Sequence, residues 1–190
     1  SLRAHTTDGN PLFVEESLKM ILHSDMVRDT GTRYEAVEQF TEQGIPHTLQ
    51  GSLMARLDNL GECKQLAQLA AIAGRRFDAD LLLKVSRLQK DVFDLQLRQL
   101  IEADLILPVD PDNQEYQFRH ALLQDIAYQS LLRSKRREFH QRFAEILESD
   151  YAERISQRPE VLARHYAEAA SPEKAIPLWH QAREMAIRRS

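Results

Sequence analysis

The hydrophobic period of this chain changes twice between Leu105 and Leu132, and few folds accommodate that double change. Leu105-Ile106-Leu107-Pro108-Val109 reads as a strand, Asp110-Pro111-Asp112-Asn113 as a turn, and Tyr116-Gln117-Phe118 as the returning strand. Helical spacing then resumes at once, with Leu122, Leu123, Ile126, Ala127 and Leu131 on one face. His120 stands at the junction, where a side chain can point out of a packed domain. Three helices followed by a two-stranded hairpin, over Glu62–Arg119, is the sequence shape of a winged helix.

Ahead of that segment, Asn10 and Pro11 predict a helix start, because asparagine caps well and a proline at the first helical position gives up no hydrogen bond. Val14, Leu18, Ile21 and Leu22 form its buried stripe. His23–Gly44 reads as a surface loop with a short helix at Tyr34–Thr41. Pro46-His47-Thr48 opens a further helix, with Leu49, Leu53, Leu57 and Leu60 on one face and Gly61 closing it. Within the winged helix, Glu62–Ala73 is helical and ends at Gly74. Asp78 caps a short helix through Val85, and Asp91 caps a third over Val92–Ala103.

Three helices are expected after the junction helix: Lys135–Ser149, Arg158–Ala170 and Pro172–Arg189. The last two match a tetratricopeptide unit. Leu162, Ala163 and Tyr166 fall at its first-helix positions, and Ala175, Trp179 and Ala182 at the small, large and small positions of its second helix. Pro159 stands where an aromatic is expected. Repeats of this kind come in arrays, since one unit cannot bury both its faces. The sequence therefore reads as a piece of a longer protein.

Composition narrows the function. Only 7 Pro and 6 Gly in 190 residues favour a mainly α fold. A net charge of -4 gives no general electrostatic reason to bind nucleic acid or an anionic membrane. The single cysteine, Cys63, excludes an intramolecular disulfide and any CxxC metal site, and reads as a passive small residue. No apolar run approaches the ~20 residues that span a bilayer, and the first residues carry no signal peptide. The expectation is a cytoplasmic protein with no membrane partner.

Several stretches, in order, resemble one family. Thr7-Asp8-Gly9-Asn10-Pro11-Leu12-Phe13-Val14-Glu15-Glu16 looks like the lid motif of STAND-type signal-transduction ATPases of the AAA+/NACHT-like kind. The closest flavour is that of bacterial regulators in which such an ATPase sits beside a class III adenylate/guanylate cyclase or a LuxR-type DNA-binding domain. Ile45-Pro46…Leu49…Leu53…Ala55-Arg56-Leu57-Asp58 and Ala71…Gly74-Arg75…Phe77 resemble the same family. So does Phe118-Arg119-His120-Ala121-Leu122…Asp125-Ile126-Ala127-Tyr128, and the resemblance extends from about Thr7 to Arg189. It implies a helical lid over residues 1–60, a winged-helix domain over 61–133, and a linker helix with the start of a TPR-like repeat array over 134–190. It also implies ATP or ADP with magnesium, held in the longer protein by a P-loop domain that this chain does not contain.

Two residues carry the implied nucleotide role. In such ATPases a proline at the lid position packs near the base, and a histidine at the start of the helix after the wing reaches the ADP β-phosphate. Pro11 and His120 are the matching positions. From spacing alone, Pro11 is an ordinary helix-starting proline and His120 a histidine bonded to a nearby carbonyl.

Other features read more plainly. Arg133, Lys135, Arg136 and Arg137, beside His140 and Arg142, make a solvated helix start rather than a nucleic-acid patch, because no aromatic platform is interleaved. The third helix of the winged helix carries Asp91, Asp94, Glu102 and Asp104 against Arg98, which argues against DNA. His165 and His180 lack the carboxylates or cysteines of a metal site and read as packing and surface positions.

Two functions follow. The first is a regulatory and sensor fragment of a STAND-type ATPase, coupling nucleotide state to a protein-binding repeat arm. With no GxxxxGK[ST], no acidic magnesium site and no nucleophile beside a base, it is not an enzyme by itself and holds no cofactor alone. The second is a winged-helix and helical-repeat module that docks a protein or DNA, with no nucleotide role.

Overall fold

The computed structural model describes residues 27–29, 34–36, 49–110, 112 and 114–189. They fall in two compact units, one ending at Gly61 and the other beginning at Glu62. The proposed lid helix, with Pro11, lies outside the described residues.

In the first unit, β1 (Val27–Asp29) pairs antiparallel with β2 (Tyr34–Ala36), placing Val27 opposite Ala36 and Asp29 opposite Tyr34. This corrects the short helix expected from Tyr34, because cross-strand pairing overrides a weak helical pattern and Val27 and Tyr34 favour extended backbone. Helix α1 (Leu49–Asp58) follows, with Leu53 and Leu57 buried as the leucine spacing predicts. Gly61 takes φ +55°, the left-handed conformation that suits glycine after a helix.

The second unit begins with α2 (Lys64–Ala73), β3 (Arg76–Asp78), α3 (Ala79–Ser86), α4 (Lys90–Glu102), β4 (Ile106–Asp110) and β5 (Glu115–Phe118). Helix, strand, helix, helix, strand, strand is the order of a winged helix. The sheet has three strands in the order β3-β5-β4, all antiparallel. The expected two-stranded hairpin is thus one strand short, and its returning strand lies in the middle rather than at the rim. Pro108, which cannot donate to a ladder, sits on edge strand β4 just before an irregularity between Pro108 and Asp110. Asp78 caps α3, its Oδ1 accepting from the N–H groups of Asp80 (2.9 Å) and Leu81 (3.2 Å). Asp91 does not cap α4. That helix starts two residues earlier, after Gln89, so it includes Lys90 and leaves Asp104 beyond its end with φ +57°.

The winged-helix core is aromatic and aliphatic: Phe77, Leu82, Phe93, Leu100, Phe118 and Ile126 are all buried. Burial of each such side chain stabilises by about 1.5–3 kcal/mol. Phe77 stacks on Tyr116 and meets Phe118 edge-on, both at 6.1 Å between centroids, and so ties the third strand to the middle one.

Beyond the sheet come α5 (Ala121–Gln129), α6 (Arg133–Asp150), α7 (Ala152–Ser156), α8 (Pro159–Glu168) and α9 (Pro172–Arg189). The short α7 was not expected. Ala144, Leu147, Ile155, Leu162, Tyr166 and Ala175 form a second core, against which Leu81 of α3 packs, so winged helix and helical arm share one interior. The tetratricopeptide spacing holds at Leu162, Ala163, Tyr166 and Ala175, all buried, but Trp179 is 46% exposed. The protein is therefore mainly α with a small antiparallel sheet. Among the described residues, no helix is long and apolar enough to cross a membrane.

Candidate functional site at the strand-to-helix junction

Central strand β5 fixes the backbone that carries His120. The N–H of Phe118 donates to the carbonyl of Arg75 at 3.0 Å, and that of Arg119 to Leu105 at 2.9 Å. The ladder is thus held from both sides up to the residue before the histidine. Arg119 is anchored further by an ion pair with Asp104 at 3.0 Å. His120 keeps extended backbone (φ −128°, ψ 142°) as the N-cap of α5, and its carbonyl accepts from Leu123 N–H at 3.1 Å. Its side chain makes no cap bond.

The imidazole itself is half-buried, and its Nε2 is buried with no hydrogen-bond partner among the described residues. An unpaired buried nitrogen costs about 1–3 kcal/mol, so this junction gains by acquiring a partner that supplies one. The carbonyl partner expected from spacing alone is not found at that nitrogen. A nucleotide fits here at one point: an imidazole N–H at the start of a helix can donate to an anionic oxygen. Among the described residues, no group of three or more His, Cys, Asp or Glu could hold a metal ion.

A second polar cluster lies further along the same arm. His140 of α6 and His165 of α8 are 1% and 2% exposed, and their Nδ1 atoms are 3.0 Å apart. His140 Nε2 lies 3.1 Å from the hydroxyl of Tyr128, which itself donates to Glu168 Oε2 at 3.3 Å. One tautomer set satisfies all three contacts. With the Tyr128 proton directed to Glu168, His140 Nε2–H donates to the Tyr128 oxygen, and His140 Nδ1 accepts from His165 Nδ1–H. Burial, with Arg164 and Arg136 nearby, lowers the His140 pKa to about 4. Burial, then His140 and Arg164, lowers that of His165 to about 3. Both are neutral at physiological pH.

This placement corrects two sequence readings. His140 is not part of the solvated basic helix start, because it sits on the buried face of α6 with Phe139 and Phe143. His165 does serve packing, but it is bound to another histidine 25 residues earlier, which spacing does not reveal. His180 is exposed, as expected. Cys63 is buried, and its thiol donates to Gln99 Oε1 at 2.6 Å. Burial, helped by Glu62, raises the pKa of that thiol, which keeps it protonated and unreactive.

No family model matches the chain, and no solved structure matches it. The chain is 26% identical over 173 residues to an uncharacterized protein of Rhizobium meliloti (strain 1021), an alignment covering 90% of this chain and 16% of that protein. It thus spans well under a fifth of the length of the curated relative it matches.

Proposed function

We propose that this chain is a regulatory segment of a STAND-type signalling ATPase, in which the winged helix reads nucleotide state and passes it to a repeat arm that binds proteins. The observation that carries this reading is the unpartnered Nε2 of His120, buried at the start of the helix that follows the wing. In this reading the missing partner is an oxygen of the ADP β-phosphate, held in the longer protein by its P-loop domain, while Pro11 faces the base. ADP stabilises a closed resting state, and loss of the His120 contact releases the arm towards an output domain such as a nucleotidyl cyclase. The protein acts in the cytoplasm.

Helix α4 supports a protein rather than a DNA partner. Its outward residues include Val92 (39% exposed) and Leu95 (50% exposed), and Lys90 is engaged by Asp94 at 2.6 Å. Such a face offers phosphates little.

Titration with fluorescent ADP tests the reading. The 190-residue chain alone should bind weakly or not at all. In the longer protein, His120→Leu should loosen ADP about tenfold or more, as expected for one lost hydrogen bond to a charged group. An unchanged ADP affinity removes the sensor role.

A further inference from the structure

A cavity of about 710 Å³ opens between the strand β3 edge and helices α6 to α9, within the size range of ligand pockets. Its floor is apolar, made by Phe77, Leu81, Leu147, Ile155 and Val161. Its walls carry five arginines, Arg75, Arg76, Arg154, Arg158 and Arg164, on a chain that is acidic as a whole. No lysine lines it. Trp179 stands at the rim, 46% exposed.

The arginines divide by what they already hold. Arg154 Nη1 donates to Asp78 Oδ2 at 3.0 Å, and Arg158 Nε to Glu160 Oε1 at 3.4 Å. Arg76 Nε donates to the neutral amide oxygen of Gln117 at 3.2 Å, and Arg164 Nη2 to the carbonyl of Ile72 at 3.4 Å. Arg75 has no side-chain partner among the described residues. Three guanidinium groups that border the cavity, those of Arg75, Arg76 and Arg164, therefore pair with no carboxylate among the described residues, beside two that each hold one. Guanidinium groups pair well with carboxylates, so the two that already hold one show the ligand chemistry that the other three, bound to neutral oxygens or to none, can accept.

The geometry points to this cavity as a docking site for an acidic peptide segment of a partner protein. One apolar side chain of the peptide rests on the floor, and flanking carboxylates engage Arg75, Arg76 and Arg164. Nucleic acid fits less well, because a single tryptophan offers no run of stacking platforms and Asp78, Glu115 and Glu160 in the lining repel a dense phosphate chain. The site is independent of the nucleotide reading, since its test uses neither ADP nor ATP.

Trp179 is the chain's single tryptophan, so its fluorescence reports occupancy directly. The 190-residue chain is titrated with N-acetyl-Asp-Glu-Leu-Asp-Glu-amide, with the same peptide carrying Asn and Gln in place of its acids, with inorganic pyrophosphate and with a single-stranded oligonucleotide. The acidic peptide should give a saturable change. Arg75→Glu and Arg164→Glu should each weaken it about tenfold, and rising salt should weaken it in the wild-type chain. Arg188→Glu, the same charge change on an exposed arginine outside the cavity, should leave it unchanged. Circular dichroism checks each variant for folding, and the neutral peptide and salt series need no variant. The proposal is overturned by the absence of a saturable response, by equal binding of the neutral peptide, or by equal weakening in Arg188→Glu. Tighter binding of pyrophosphate or of the oligonucleotide overturns it equally.

Discussion

The imidazoles of His140 and His165 face each other Nδ1 to Nδ1 at 3.0 Å, in a buried contact that admits one proton between them. Protonating both nitrogens would set two donors against each other beside Arg164 and Arg136, the charges that already disfavour the cationic forms.

Acid should therefore unfold this part of the molecule early. The folded pKa values, about 4 and about 3, lie below the ordinary value of 6.5, so the unfolded chain binds more protons between them and stability falls as pH drops through that window. The loss by pH 4 should be on the order of 3 kcal/mol for each histidine, at 1.36 kcal/mol for each pKa unit. Urea denaturation at pH 7, 5.5 and 4.5 measures it. The double substitution His140→Phe with His165→Phe should flatten the slope across that range. An unaltered slope would locate the acid sensitivity in other groups.

Asp78 joins the two halves of the second unit. One carboxylate oxygen caps α3, and the other accepts from Arg154 of α7 at 3.0 Å. Asp78→Ala should cost about 1–2 kcal/mol, mostly from the cap. Arg154→Ala should cost less than about 1 kcal/mol, because the ion pair is largely exposed. Thermal denaturation of the two variants separates the contributions, and equal losses would contradict this division.

The cap was legible in the sequence because its chemistry is local: an aspartate stands directly before a short apolar helix. Strand β3 was not. Only Phe77 among its three residues is apolar, and its partner strand lies 41 residues away at the Arg76–Gln117 contact. The same distance problem hid the histidine pair. His140 sits among Arg136, Arg137 and Arg142 in sequence, and only the rotation of α6 separates it from them. At the junction, the position of His120 could be read from the change of period. Its unpaired nitrogen could not, since that depends on what surrounds the ring. The cavity of arginines is assembled from segments spanning Ala73 to Trp179, none of which looks like a site alone.

Ala170 closes α8 at φ 63°, where Ser171 N–H donates back to the carbonyl of Tyr166 at 2.9 Å. This arrangement normally takes glycine. Ala170→Gly should raise stability by about 0.5–1 kcal/mol, the relief of left-handed strain outweighing the greater freedom of the unfolded chain. Differential scanning calorimetry should show a higher Tm, and a lower one would mean that the alanine methyl contributes packing the backbone does not reveal.

The middle position of β5 has a consequence for how the molecule is made. On a ribosome, Arg76 emerges 41 residues ahead of Gln117, its partner in the sheet. At ordinary elongation rates of 5–20 residues per second, that leaves β3 without a neighbour for about 2–8 s. Phe77 waits through that interval on a strand two of whose three residues carry charge, Arg76 and Asp78, and that charge discourages pairing with other nascent chains.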